Sequence, residues 1–173
     1  MKLLRPLLLA SGAALAFVAV HLASASADIR PHVVADDPVA AGRFLVNYGG
    51  CNDCHTAGMM EGRALPPESE RLLGSRLGFA GPWGVTYPPN LRLVVSSMSP
   101  DGWTALIANP GPVGKPPMPW KSLRSLSPGD QLAIYAYLRS LGPGGSSTPA
   151  DVPPGQAPTT PYLNFTPTMP GAH

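Results

Sequence analysis

The chain has 173 residues, of which 23 are proline and 19 are glycine, about twice the average usage of these two residues. Charged residues make up only 13%, which argues against a coiled coil, a long solvated helix or an acidic disordered tail. Two cysteines are too few for a small scaffold held together by several disulfides. The length suits one domain with tails.

The first 27 residues have the pattern of a signal peptide. Lys2 and Arg5 form a positive start, residues 6–22 are almost entirely apolar, and Ala25-Ser26-Ala27 is a small-x-small cleavage pattern. We expect cleavage after Ala27 and a periplasmic protein, since an uncleaved segment of this length would be only a marginal membrane anchor. Removing Lys2 and Arg5 lowers the basic residues from 12 to 10, equal to the 10 acidic ones. The mature chain is then formally neutral, which gives no support to nucleic-acid binding.

Residues 28–36 are predicted to be an irregular lead-in to the first helix. Asp37 and Pro38 provide an N-cap and a first-turn proline. The apolar residues that follow have the helical spacing of one face: Ala41, Phe44, Leu45 and Tyr48. Gly49-Gly50 is predicted to end this helix.

The middle of the chain is interrupted by many glycines and prolines. Residues 56–90 sustain no period and are predicted to be mostly loop, and residues 92–95 are predicted to form a short strand. Ser99-Pro100 caps a predicted short helix that carries Trp103, Leu106 and Ile107. A proline-rich loop over residues 112–120 contains Met118.

The last predicted helix has the clearest signals. Ser127 is the N-cap, Pro128 is the first helical residue, and Asp130 completes a capping box. Ile134, Tyr137, Leu138 and Leu141 form its apolar face. Residues 142–173 contain 8 prolines and 5 glycines and are predicted to be a flexible tail. The folded part is therefore residues 37–141, a loop-rich chain that a large apolar cofactor would help to hold together.

Cys51, Cys54 and His55 spell C-x-x-C-H, the attachment signature of a c-type haem. Two thiols separated by two residues match the two vinyl groups on one edge of the porphyrin. The histidine that follows then lies under the ring, with an imidazole nitrogen on iron.

Other interpretations of the cysteines are weaker. A thioredoxin-type C-x-x-C needs a strand before it and a helix after it, whereas here a helix precedes and a glycine-rich loop follows. A zinc site needs four ligands, and His32 and His173, the other histidines outside the signal segment, lie in predicted tails. A plain disulfide remains open but explains neither His55 nor the glycines before Cys51.

The sequence resembles a class I cytochrome c domain, over roughly residues 38–141. Within that family it is similar to bacterial periplasmic cytochromes and to cytochrome subunits of membrane-associated dehydrogenases. The resemblance is carried by residues 42–46, 50–55, 79–84, 87–91, 102–104, 118–120 and 136–141. Two features depart from it: Asn90-Leu91 is followed by Arg92-Leu93-Val94 rather than Thr-Pro-Asp, and there is one haem motif where the dehydrogenase subunits often carry three.

The resemblance implies an all-α, cytochrome c-like fold with few helices and long loops around one covalent haem c. It also implies that His55 and a methionine ligate the iron, and Met118 fits because prolines at 116, 117 and 119 stiffen its loop. Met98 is the main competitor, and a site with no side chain as sixth ligand remains an alternative. Met59 and Met60 lie too near the attachment site, and Met169 lies in the tail.

Other residues have weaker expectations. Trp83, Tyr87 and Trp120 either line the haem pocket or pack in an ordinary core, and Arg43 and Arg92 either bind a propionate or lie on the solvated surface. In this family the first and last helices cross at a small residue, which is Gly42 here, with Tyr137 as its neighbour.

The expected function is one-electron transfer in the periplasm by a His/Met haem, without catalysis of its own. Expected partners are redox proteins, namely a dehydrogenase, a terminal oxidase or both, with membrane contact only if the N-terminal segment stays uncleaved. The alternatives are an electron-accepting subunit of a dehydrogenase complex, a haem enzyme with an open sixth position, and a thiol–disulfide exchange protein.

Overall fold

The computed structural model describes residues 32–111 and 115–171. The predicted signal segment lies outside these residues, and residues 32–36 are irregular, as predicted for the lead-in. The described helices are α1 (Pro38–Tyr48), α2 (Cys51–His55), α3 (Leu91–Ser96), α4 (Pro100–Ala108), α5 (Trp120–Arg124) and α6 (Pro128–Ser140), and a 3₁₀ turn spans Glu68–Glu70. None of the described helices is long and apolar enough to cross a membrane.

Three helices begin at the polar residues that the sequence indicated. The Asp37 carboxylate accepts a hydrogen bond from the Ala40 N–H, and the Ser99 and Ser127 hydroxyls accept from N–H groups of their own first turns. A proline follows each cap, where its missing N–H costs nothing. The N-caps predicted for α1, α4 and α6 are confirmed.

The fold is mixed α/β, so the all-α prediction is wrong. Strands β1 (Gly78–Gly81), β2 (Gly84–Thr86) and β3 (Tyr162–Asn164) form a sheet in the order β2-β1-β3. The β1–β2 pair is an antiparallel hairpin, whereas β3 pairs with β1 in parallel. Strands of three or four residues that contain glycines are too short to show a period of two, which is why the segment looked like loop.

A second local prediction fails at residues 92–95. They lie in helix α3 rather than in a strand, and Asn90 caps that helix by accepting from the N–H groups of Arg92 and Leu93. The two valines at 94 and 95 favoured a strand, but the asparagine N-cap decides the local structure.

The hydrophobic core lies where α1 crosses α6. Leu45 and Val46 of α1 and Tyr137 and Leu138 of α6 are buried there, and Trp103 of α4 packs against them. Gly42 makes the close approach possible, because a Cβ on it would lie 2.0 Å from the carbonyl oxygen of Ala133 and 2.8 Å from the Tyr137 Cβ. The predicted crossing at Gly42 beside Tyr137 is confirmed.

Residues 142–165, which we call the C-terminal strap, run from the end of α6 to the sheet. The tail was predicted to be flexible, and residues 144–165 are instead bound to the rest of the fold at several points. Asn90 Nδ2 donates to the carbonyls of Gly144 and Ser146, Val152 forms a β-bridge with Val85, and β3 pairs with β1. Backbone hydrogen bonds of this kind do not require apolar side chains, so composition alone did not indicate them.

Candidate functional site

Helix α2 follows α1 after a sharp reversal at two glycines. Gly49 ends α1, and Gly50 adopts φ 65°, a left-handed conformation that glycine adopts without strain. Cys51 and Cys54 are three residues apart in α2 and therefore lie on the same helix face. Both are half-buried and neither is in a disulfide.

The environment of the two thiols disfavours thiol–disulfide exchange. Burial raises the pKa of Cys51 to about 11, and burial together with the neighbouring Asp53 carboxylate raises the pKa of Cys54. Exchange needs the thiolate, and redox-active cysteines have a lowered pKa. The raised pKa of each cysteine favours the thiol over the thiolate.

His55 is buried and has one ring nitrogen committed to the backbone. Its Nδ1 lies 2.8 Å from the carbonyl oxygen of Pro89, and only 6% of the surface of the residue is exposed to solvent. Burial lowers its pKa, which favours the neutral imidazole. A carbonyl oxygen only accepts, so Nδ1 carries the proton and Nε2 keeps its lone pair. The geometry thus fixes the tautomer that binds a metal through Nε2.

A buried hydrogen-bond network holds the end of α2 in place. Thr56 Oγ1 donates to Asn52 Oδ1 at 2.9 Å and accepts from the Leu72 N–H at 2.9 Å. The Gly74 N–H donates to the carbonyl of His55 at 2.8 Å. The loop after the motif is therefore tied back to α2, and His55 sits on a supported backbone.

The segment that carries the histidine's partner is also fixed. Pro89 precedes Asn90, whose side chain caps α3 and donates to the C-terminal strap, and the Leu91 N–H donates to the carbonyl of Leu72. The Pro89 carbonyl is therefore held between α3, the loop at Leu72 and the strap. The Asn90 cap is local, but the links to Leu72 and to the strap could not be predicted from the sequence, because they join residues far apart in the chain.

Met118 is half-buried in the short stretch before α5. Two residues earlier, the Pro116 carbonyl accepts a hydrogen bond from the Thr86 hydroxyl, at the end of β2. Pro89 lies three positions after Thr86, so the chain between them reaches about 11 Å at most. The structure therefore attaches the Met118 stretch to the same short segment that supplies the partner of His55.

Met98, the competing methionine, has a different environment. It is half-buried and packs against the hydrophobic core, and its carbonyl accepts a hydrogen bond from Tyr135 Oη at 3.0 Å. A methionine used in this way is a core residue. The assignment of Met118 as a ligand remains a prediction.

The two arginines predicted as propionate partners or surface residues are both engaged with the protein. Arg43 is exposed, as the surface alternative requires, with its Nε donating to Glu68 Oε1 at 2.8 Å and its guanidinium over the Tyr137 ring. Arg92 is buried at 7% exposure and donates to the carbonyls of Ser69, Leu141 and Gly142. The surface role for Arg92 is wrong, because its charge stabilises the carbonyls at the end of α6.

The aromatic candidates also have assigned contacts. Trp83 Nε1 donates to the carbonyl of Phe79 within the β1–β2 hairpin, and Tyr87 Oη is hydrogen-bonded to Thr160 of the strap. Trp120 is half-buried at the start of α5. Trp83 and Tyr87 thus have packing and hydrogen-bonding roles in the sheet region.

A cavity of about 370 Å³ opens directly beyond the motif. Its lining combines apolar groups with one cation and one carboxylate: Ala57, Arg63, Ala64, Pro66, Glu70, Leu73 and Gly74. Sequence reasoning did not single out Arg63, because it follows two glycine turns and belongs to no periodic element. Cys51, Cys54, His55 and Met118 are not among its lining residues, and the Glu70 carboxylate shares the lining with Arg63, so the cavity does not by itself indicate a ligand.

A zinc site is not present in residues 32–111 and 115–171. No three side chains among their His, Cys, Asp and Glu residues lie close enough together to hold a metal ion.

No family model matches the chain, and neither a curated protein nor a solved structure is found to be similar to it.

Proposed function

We propose that this protein carries one covalently attached haem c and transfers single electrons in the periplasm. The observation that carries the proposal is the hydrogen bond from His55 Nδ1 to the Pro89 carbonyl, which leaves Nε2 as the free ligand atom. A histidine held in this tautomer, immediately after two thiols on one helix face, is suited to a metal that sits in an organic ring.

Cys51 and Cys54 would hold the ring. Each S–H would add across one vinyl double bond, so that both atoms of the thiol would stay in the product and no oxidant would be needed. The spacing of the two cysteines on one turn of α2 supports attachment along one edge of the ring. Both cysteines are half-buried and neither forms a disulfide with the other, which supports the same role.

Met118 would hold the iron together with His55. Its stretch is anchored to Thr86, three positions before Pro89 in the chain, and this link supports a ligand from the Met118 stretch. When bound, the haem supplies a one-electron couple whose potential a thioether raises. With His55 and Met118 both holding the iron, the protein would act as a carrier rather than an enzyme, and it would exchange electrons with redox proteins such as a dehydrogenase or a terminal oxidase.

Expression with the machinery for c-type haem maturation tests the proposal. The wild-type protein should be red, and its colour should resist extraction with acidified organic solvent because the linkage is covalent. Cys51→Ala and Cys54→Ala should mature poorly, while Met169→Ala, far from the site in sequence and exposed, should mature normally. A well-folded, colourless wild-type protein would overturn the proposal.

A further inference from the structure

Asp151 of the C-terminal strap joins two segments that matter to the candidate site. Its Oδ1 accepts a hydrogen bond from the Tyr87 N–H at 3.1 Å, and its Oδ2 lies 2.7 Å from Lys115 Nζ. The Asp151 side chain is about one-third exposed and the Lys115 side chain about half. The two oxygens of the Asp151 carboxylate thus contact two different segments, at Tyr87 and at Lys115. These segments are far from Asp151 and from each other in sequence.

Each of those segments leads to a proposed ligand. Tyr87 is buried and lies two residues before Pro89, which accepts from His55. Lys115 lies three residues before Met118, and its carbonyl accepts a hydrogen bond from the Met118 N–H at 3.1 Å. The carboxylate of Asp151 therefore links the backbone on the histidine side to the turn that carries the methionine.

The turn at Lys115 also needs an external restraint. Lys115 has φ 26°, in a region that side chains other than glycine rarely adopt. Such a conformation persists only where its surroundings hold it. The Asp151 carboxylate and the Thr86 hydroxyl, which donates to Pro116, are the two side-chain contacts on this turn among those described.

We propose that Asp151 is a positioning residue that keeps the Met118 thioether in place and so sets how readily the sixth position opens. This inference rests on the proposed haem function. The strap then acts as a clamp, because its β3 strand is paired to β1 and fixes the strap beyond Asp151. Loosening the clamp would raise the fraction of time that Met118 is away from iron, without removing the ligand.

The experiment measures carbon monoxide binding to the reduced holoprotein, which requires an open sixth position. Lys115→Ala removes only the ion pair, and Asp151→Asn keeps an oxygen for the Tyr87 N–H while it removes the charge. Each should speed binding about two- to fivefold. Asp151→Ala loses both contacts and should speed it about tenfold or more. Lys121→Ala and Asp36→Asn, exposed residues of the same charges, should leave the rate unchanged.

Two further measurements separate positioning from a loss of structure. The double variant Lys115→Ala/Asp151→Asn should match either single variant, because the two residues act through one contact. Hydrogen exchange of the Tyr87 amide should speed in Asp151→Ala but not in Lys115→Ala, a readout that does not depend on haem chemistry. Should Asp151→Ala fail to fold, the exposed Lys115 variant still decides the case.

The outcomes are distinguishable from those of the function itself. Wild-type protein that holds haem with a methionine signature, but whose Lys115 and Asp151 variants bind carbon monoxide at the wild-type rate, would overturn the clamp alone. Wild-type protein without covalent haem would overturn both.

Discussion

Gly42 and Ala133 are so close that a Cβ on the glycine would lie 2.0 Å from the alanine's carbonyl oxygen. The neighbouring atom is backbone within α6, so it cannot move aside as a side chain could. The contact sets the distance between the two helices whose faces form most of the core. It therefore controls how α1 presents the following helix α2 and its two cysteines.

Replacing Gly42 should destabilise the fold through overpacking. We expect Gly42→Ala to lower the free energy of unfolding by about 1–3 kcal/mol and Gly42→Val to lower it further. Gly102→Ala is the control, because its Cβ would lie 3.3 Å from the Met98 Cβ in a helix that gains from alanine. Denaturant unfolding of the holoprotein measures the effect. Equal stability of the Gly42 and Gly102 variants would contradict the proposed close crossing.

Acidification should weaken the fold through Glu68. Hydrogen bonds from Tyr137 and from Arg43 hold the pKa of this carboxyl below its ordinary value of 4.5. Because the folded-state pKa is the lower one, the stabilisation is complete above 4.5 and is lost as the pH falls through the folded value. Unfolding measured at a series of acidic pH values should therefore show a smaller loss of stability in Glu68→Gln. The exposed Glu61→Gln should keep the wild-type slope.

The hydroxyl of Thr56 should contribute measurably to stability at the base of α2. Thr56→Val keeps the shape of the side chain but leaves Asn52 Oδ1 and the buried Leu72 N–H without this partner. We expect a loss of about 1–3 kcal/mol in the free energy of unfolding, with Thr56→Ser much closer to wild type. Thr104→Val is the matched control, since the Thr104 hydroxyl makes one hydrogen bond, to the Asp101 carbonyl, at an exposed position where water can replace it. A neutral Thr56→Val variant would show that the network does not hold the loop.

The helices could be predicted from the sequence to the extent that their signals are local. Asp37, Ser99 and Ser127 each precede a proline, and a cap needs only the residues of its own first turn. The C-x-x-C-H spacing is local in the same sense, so a haem attachment site could be predicted from the sequence alone. Asn90 carried a usable signal too, but the β-branched residues after it outweighed the cap.

The sheet and the strap could not be predicted because their partners are distant in the chain. Gly78 pairs with Tyr162 and Val85 with Val152, contacts between backbones that leave little trace in composition. The burial of Arg92 could not be predicted for the same reason, since its acceptors lie at the end of α6 and in the 3₁₀ turn. A proline- and glycine-rich segment can be ordered when its carbonyls and N–H groups find partners elsewhere in the fold.

Removing the strap should therefore destabilise the protein. Truncation after Gly145 deletes β3 and Asp151, and it uncovers Tyr87 and Phe79, each now only 3% exposed. We expect a loss of about 3 kcal/mol or more, from lost hydrogen bonds and apolar burial. Truncation after Pro167 is the control, because it removes only residues beyond the described strap contacts. Equal melting temperatures for the two truncations would restore the prediction of a flexible tail.

Replacing Met118 tests the proposed sixth ligand. A soft, neutral thioether favours iron(II), so Met118→Ala should lower the reduction potential, abolish the sulfur-to-iron(III) charge-transfer absorption and open the iron to carbon monoxide or cyanide. Met98→Ala is the matched control: Met98 packs on the core, so its loss should lower stability and leave all three spectral and redox properties nearly unchanged. If Met98→Ala produced the spectral change instead, the ligand assignment would move to that residue. A filled sixth position binds carbon monoxide only as fast as its own ligand leaves the iron. If the wild-type protein already bound carbon monoxide rapidly, the hypothesis of a haem enzyme with an open sixth position would therefore replace that of an electron carrier.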